Sequence, residues 1–423
     1  MPARVRHGRT GAVVAVTGAG SGAGAAVLAH LAGSPRIARA IGIDPGPDPG
    51  LSAGPDPGLS PGPDLGLSPG PDLGPSPERD SGPATGLSPG PDAGLDPGLD
   101  LGLEPAGGAA EWRQVDVLDP GSAGTFAGVD AVAHLAVDLT PSADRDGQRQ
   151  RNTRAAQTVI TAAFAAGVRR VVVVGSALAY GAYADNPVPL PDDAPLRAVP
   201  EASAVGDLLE IERIAASSRR SHRGLAVTVL RPAVVLGAGD REPMAALLTA
   251  PRLLRIRGAD THWQFCHVAD LATAVELAAL APAGVLDGPA NVASEGWLDH
   301  DELERVSGRR SLDLPERVAV GMAERLHRLG ITPAPPSELA YLVNPWVVDC
   351  GRLRAAGWSP RYTNAEAVAD HLRTAERKPE DKDGKVDRRR GNPAVVGGAA
   401  AGAAAALVGT AALVRRARRR RSG

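Results

Sequence analysis

The sequence predicts an α/β fold, a doubly wound parallel sheet, and three observations carry that reading. Short β-rich apolar runs alternate with Ala-rich helical stretches through the first 240 residues. A glycine cluster separates the first run from the first helix. The runs are unbroken rather than alternating, as at 171–174, the pattern of a strand covered on both faces. In chain order the strands are expected at 13–17, 38–44, 112–117, 129–135, 171–174 and 226–230. Helices are expected at 25–31, where Ala dominates, at 152–166, where apolar residues recur at helical spacing, and at 205–217. Past residue 240 the pattern turns mixed and suits a smaller C-terminal lobe.

Composition sets the limits on this fold. The chain has 423 residues, a net charge of −2, 43% hydrophobic residues and only 3% aromatics, so its core is built from Ala, Val and Leu. With 51 Gly and 38 Pro, part of it is expected to lie outside any packed core. That part is 45–108, read as a disordered Gly/Pro/Asp-rich insertion. It opens on an eight-residue repeat that brings Asp48, Asp56, Asp64 and Asp72 into register. A solvated insertion is favoured over a calcium-binding repeat, because no apolar period survives in it. Two cysteines, Cys266 and Cys350, exclude a disulfide scaffold and give no metal-ligand spacing, so no metal is expected. No cleaved signal peptide is expected, because only Val13 to Val16 is strongly apolar near the start.

Charge is distributed unevenly. Residues 45–110 carry a net −9 and residues 376–423 a net +8, leaving a body close to neutral and no basic face for nucleic acid. A charged linker at 376–392 leads to an uncharged stretch at 393–414 and an Arg-rich tail at 415–423. The stretch is as long as a bilayer core is thick and carries the small-xxx-small pattern Gly398 to Gly402. Membrane association through 394–421 is therefore expected, by spanning or by lying on an anionic leaflet. The body would be cytoplasmic, held at the inner face of the cell membrane.

The sharpest chemical signal is Thr17-Gly-Ala-Gly-Ser-Gly-Ala-Gly24, which follows a strand and opens a helix. Gly18 permits the tight turn, Gly22 lets a pyrophosphate approach the backbone, and Gly24 allows close helix–strand packing. The helix N-terminus offers free N–H groups to a phosphate. Asp44 lies twenty residues after Gly24, at the end of the second strand. An acid there binds the adenosine ribose hydroxyls and repels a 2′-phosphate, so the expected cofactor is NAD rather than NADP.

Several further motifs follow in order: Val115-Asp116-Val117, His134-Leu135-Ala136, Ser176 to Gly181, Leu230-Arg231-Pro232, Gln264 to Asp270, and Asp349 to Pro360. With the glycine motif they resemble the extended short-chain dehydrogenase/reductase family, which includes NAD-dependent epimerases and dehydratases. The resemblance covers 12–44 and 110–374, although the TGxxxGxG spacing here departs from TGxxGxxG. It implies a Rossmann-like NAD-binding domain at 11–44 and 109–240, with 241–375 mostly supplying the substrate lobe. It further implies cofactor contacts from Thr17, Asp116, Val117, Leu135, Ala136, Arg231 and Pro232, and a catalytic serine at Ser176. His134 and His267 fall at positions where the family often has histidine and are read as packing residues.

The resemblance stops at the proton chemistry. The family pairs a tyrosine acid/base with a lysine four residues on, whose charge lowers the phenol pKa. Here the tyrosine position falls on Val205 and the lysine position on Leu209. No shift of register restores the pair. The lysines are Lys378, Lys382 and Lys385, and no tyrosine occurs between Tyr183 and Tyr341. Asp207, Glu210 and Glu212 open the same helix and read as charges that favour its N-terminus. Two functions follow. One is an oxidoreductase acting on a nucleotide sugar or similar small molecule; the other is a catalytically silent NAD-binding sensor or scaffold at the membrane. A homodimer completes the expected partners.

Overall fold

The computed structural model describes residues 11–48, 110–139, 142, 144–201, 203–238, 244–329 and 335–377. Most of the insertion expected at 45–108, the linker from 378 onward, the apolar stretch 393–414 and the Arg-rich tail lie outside the described residues.

A seven-stranded parallel sheet organises the chain. It consists of β1 (Ala12–Thr17), β2 (Ile37–Asp44), β3 (Glu111–Gln114), β4 (Ala131–His134), β5 (Arg170–Val174), β6 (Ala226–Pro232) and, after the short β7 (Val234–Leu236), β8 (Leu253–Arg257) and β9 (Phe265–His267), β10 (Gly288–Val292). The order is β3-β2-β1-β4-β5-β6-β10, and every pair is parallel. β10 comes from the stretch assigned to the smaller lobe, so the chain crosses back into the sheet after residue 240. Outside the sheet, β11 (Ser311–Pro315) pairs with β8, and β7 pairs with β9.

Each central strand is buried on both sides, which is why its sequence is unbroken and apolar. In β1 the even residues Val14 and Val16 face one core and Val13 and Ala15 the other. On the first face lie α1 (Gly22–Gly33) and α5 (Val268–Leu280); on the second lie α2 (Arg145–Ala165) and α3 (Ala204–Ser221). The remaining helices are α4 (Ala246–Thr249), α6 (His300–Ser307), α7 (Glu316–Arg328), α8 (Gly351–Ala355) and α9 (Asn364–Arg377).

The starts of α1 and α2 are set by caps rather than by apolar periodicity. α1 begins at Gly22, inside the glycine cluster, because the Ser21 hydroxyl accepts from the Gly24 amide (3.0 Å). α2 begins seven residues before its first expected residue, where Asp144 caps the Gly147 amide at 3.0 Å and the first turns are charged. β3 ends at Gln114, earlier than expected. Val115 N–H still reaches Asp44 O at 3.1 Å, but the Asp116 carboxylate then accepts from Leu118 N–H (2.9 Å) and turns the chain.

Candidate cofactor site

Strand order reverses between β1 and β4, whose neighbours run outward in opposite directions, and a crevice opens at their carboxyl ends. There the structure has a cavity of about 450 Å³. Its walls bring together Gly18, Gly22, Asp44, Asp116, Val117, Leu135, Ala136, Ser176 and Pro232 from the expected set. These residues come from the ends of six different strands or from the turns that follow them.

The glycine turn shows why each small residue is needed. Gly18 adopts φ +78°, and a Cβ there would lie 2.7 Å from Ala136 N. At Gly24 a Cβ would lie 2.0 Å from Gly18 O, so this residue serves helix–turn packing and does not line the cavity. Gly22 is crowded by the chain itself: a Cβ would lie 1.6 Å from Ala238 O, on the turn after β7. Ser21 caps Gly24 and also donates to Gly18 O at 2.7 Å. The first two helical amides, of Gly22 and Ala23, thus remain for an anion.

At the far end of β2 the Asp44 carboxylate accepts from Gly20 N–H at 3.0 Å and from Gly46 N–H at 2.9 Å. It is held at the rim, beside the glycine turn. Asp138, Asn152 and Ala155, which sequence reasoning did not select, complete the opposite wall with Arg151. Asn152 pins the loop after β4, with Oδ1 accepting from Asp138 N–H (3.0 Å) and Nδ2 donating to Asp138 O (2.9 Å). A lone polar residue on the apolar face of a helix was the available signal. Ser176 closes the cavity at the end of β5, with its hydroxyl accepting from Leu178 N–H at 3.2 Å.

Two expected contacts are displaced. Thr17 points behind the turn, its Oγ1 lying 2.8 Å from His134 Nδ1, and does not line the cavity. Arg231 is a correction of larger consequence. Its Nε and Nη2 donate to the two oxygens of Glu212 (2.6 and 2.9 Å), and Nη1 donates to the Tyr180 hydroxyl at 2.8 Å. All three side chains are buried. Burial opposes the Arg231 charge, and the Glu212 carboxylate more than offsets it, so this guanidinium ties α3 to β6 and does not line the cavity. Burial raises the Tyr180 phenol, whose hydroxyl also donates to Asn291 Oδ1 at 2.8 Å.

The histidines are packing residues here. His134 is fully buried, and burial holds its imidazole down at about 4, so it is neutral at neutral pH. His267 caps α5 through Nδ1 (3.2 Å from Ala269 N) and stacks on Tyr362 with ring centroids 3.6 Å apart. Val205 is buried in the core and Leu209 is packed against it; neither lines the cavity. Among the described residues, no tyrosine or lysine lines it.

Residues 87–293 match the model of the NAD dependent epimerase/dehydratase family. They belong to that family. An uncharacterized protein of Mycobacterium tuberculosis (strain ATCC 25618 / H37Rv) is 29% identical over 275 residues, 63% of this chain and 72% of the relative. Among solved structures, MoeE5 in complex with UDP-glucuronic acid and NAD has a TM-score of 0.57 at 19% identity, over 86% of this chain and 99% of the other. A UDP-glucuronic acid 4-epimerase from Bacillus cereus, in complex with NAD, has a TM-score of 0.56 at 14% identity, over 86% and 98%. DesIV, a dTDP-glucose 4,6-dehydratase from Streptomyces venezuelae, has 0.55 at 18%, over 86% and 97%. These likenesses establish the epimerase/dehydratase fold.

Proposed function

We propose that this protein binds NAD in the cavity at the β1–β4 crevice and does not carry out tyrosine–lysine proton chemistry there. One observation carries the reading. The cavity wall combines a capped glycine turn, two open helix amides and a rim carboxylate, yet has no tyrosine or lysine among its described residues. The first three are the parts that hold a dinucleotide. Asp44 would meet the adenosine ribose hydroxyls, and its charge disfavours a 2′-phosphate. MoeE5 and the Bacillus cereus epimerase, both solved in complex with NAD, support the same cofactor. Bound NAD would supply hydride chemistry. This chain would contribute orientation, and the Ser176 hydroxyl at the cavity's end.

A second reading has one observation in its favour. Ser176 lies on the wall, where an oxidoreductase acting on a nucleotide sugar would hydrogen-bond its substrate. The experiment that separates the two is calorimetric titration of NAD and NADP, followed by incubation with NADH or NAD and a panel of nucleotide sugars. NAD binding without change in nicotinamide absorbance is expected. Turnover by the unmodified protein overturns the silent reading, and absence of NAD binding overturns both. Attachment of the body to the inner membrane face through 394–421 belongs to the proposal, as does a homodimer. Sedimentation of the full chain with anionic vesicles, compared with a chain ending at 377, tests the attachment.

A further inference from the structure

Beyond Ser176 the chain turns through the short 3₁₀ segment Ala177–Tyr180, while α3 opens across from it at Ser203. Residues 335–346 lie on both. The Tyr341 hydroxyl donates to Leu178 O at 2.6 Å, and Asn344 Nδ2 to Ala182 O at 3.3 Å. Pro345 O accepts from Asn186 Nδ2 at 2.9 Å, and the Ser337 hydroxyl donates to Glu201 Oε2 at 2.9 Å. Tyr341, Leu342 and Trp346 are buried in this contact. The segment therefore joins the turn that follows Ser176 to the stretch that leads into α3, without itself lining the cavity.

Its centre is a carboxyl that cannot be comfortably ionised. Glu338 is 4% exposed, and its Oε1 has no hydrogen-bond partner. The other side of the carboxyl meets the Ser203 hydroxyl. The charged and titratable groups that act on it come from the elements packed around it: Arg145 from α2 and Glu201 before α3, with Tyr341 on the segment itself. Asp207, with no exposed side-chain surface, already takes the nearby cation: Arg145 Nη2 lies 3.3 Å from its Oδ2. Asp207 is served in addition by the Asn152 amide at 2.9 Å and by Arg149, so Glu338 is the less compensated of the two buried carboxyls and the docked arrangement favours a proton on it.

We propose that residues 335–346 form a proton-linked strap, which closes the Ser176 end of the cavity while the Glu338 carboxyl is neutral and loosens when it ionises. This rests on the reading of the cavity as a cofactor site that ends at Ser176. It would also give that reading a cause for silence: bound to Leu178 O, the docked strap would hold the turn after Ser176 and restrict a substrate's approach to the serine. Burial pushes the Glu338 carboxyl up to about 8, from an ordinary 4.5, with Glu201 acting in the same direction and Arg145 against it. A released strap would ionise near the ordinary value, so docking takes up a proton between the two. Docking is therefore strongest below the ordinary value. It weakens by up to about tenfold per pH unit as pH rises toward the docked value, and then levels off.

The test is amide hydrogen exchange of the full chain, read by mass spectrometry at about pH 6, 7, 8 and 9 after correction for intrinsic rates. Protection of peptide 336–346, relative to core strand β6, should fall roughly 10- to 100-fold between about pH 6 and 8. In Glu338→Gln it should stay high and flat; Glu338→Leu serves as the second neutral variant should the first fail to dock. Flat protection in the wild type, or the same slope in both neutral variants, overturns the proposal. UDP-glucose with saturating NAD is the substrate-side probe. It should protect 176–183 only when the strap is loose, and protection at about pH 6 with the strap still docked overturns the closure. NAD titrated into the same samples keeps the two readings apart. NAD binding with a pH-insensitive strap defeats the strap alone, and a pH-sensitive strap without NAD binding defeats the cofactor reading alone.

Discussion

Asp44 and Arg231 show how much a side chain's partners decide. Asp44 sits at a strand end with both oxygens aimed at backbone amides of the rim, so its charge stays beside the cavity. Replacing it by Ala should lower NAD affinity roughly tenfold, the ~1.5 kcal/mol of a charge-assisted hydrogen bond. The same change should erase discrimination against NADP, and calorimetry with both dinucleotides is the check. Tighter NADP binding by the unmodified protein would sink the assignment. Arg231 has the opposite fate, because its fork is closed by Glu212 and Tyr180 inside the core. Arg231→Met alone leaves Glu212 buried and unpaired and should cost about 3–5 kcal/mol. Arg231→Met with Glu212→Leu should recover most of that loss. Urea midpoints for the two variants measure it, and equal losses in both would show that the pair is not what matters.

Among the elements, the connection from β2 to β3 holds the largest departure from a minimal fold. The two strands complete their parallel register, from Ile41 opposite Glu111 to Asp44 opposite Gln114, using only residues on either side of the insertion. A parallel pair still needs a crossover of about a dozen residues. Joining Asp48 to Ala110 through a Gly/Ser linker of about that length should shift Tm by no more than roughly 5 °C, since loop-closure entropy changes slowly with length. Calorimetric melting and NAD titration of the shortened chain decide this. A large fall in Tm would mean that the removed residues pack on the body. Elsewhere, α1 and α5 are held together through Glu276, which lies 2.7 Å from His30 Nε2 and accepts from the Ser34 hydroxyl at 2.7 Å. That contact keeps α1, with its Gly22 and Ala23 amides at the cavity wall, in place on the sheet.

For the whole molecule, the pH response of stability should be set partly by His134. Its imidazole is fully buried, and burial lowers it to about 4 from an ordinary 6.5. The unfolded chain binds this proton first, so the stabilisation is complete above the ordinary value and is lost as pH falls through the folded one. Over that window the loss should total about 3 kcal/mol. Urea unfolding between about pH 7 and 4 should show it, reduced in His134→Gln. An imidazole that titrates by NMR near its ordinary value in the folded protein would contradict the prediction.

The amino-acid sequence alone determined the fold class, six of the seven sheet strands, their parallel direction and where the crevice opens. Those depend on local signals: unbroken apolar runs, a glycine turn between strand and helix, and an acid at the next strand's end. The positive φ of Gly18 is a local demand of its turn, one that glycine meets without strain. Tertiary structure decided what long-range pairing controls. Glu212 and Arg231 lie 19 residues apart, and Glu338 is far in sequence from the Arg145 and Ser203 groups it meets, so no periodicity links them. Arg231 looked like a cofactor contact because its motif says where the backbone runs, whereas its partners depend on which helix covers it. Asn152 and Asp207 were legible only as helix residues, and the fold brought them within 2.9 Å of each other. Backbone placement follows from local sequence, but the charge state and free bonds of a buried side chain follow from its neighbours in space.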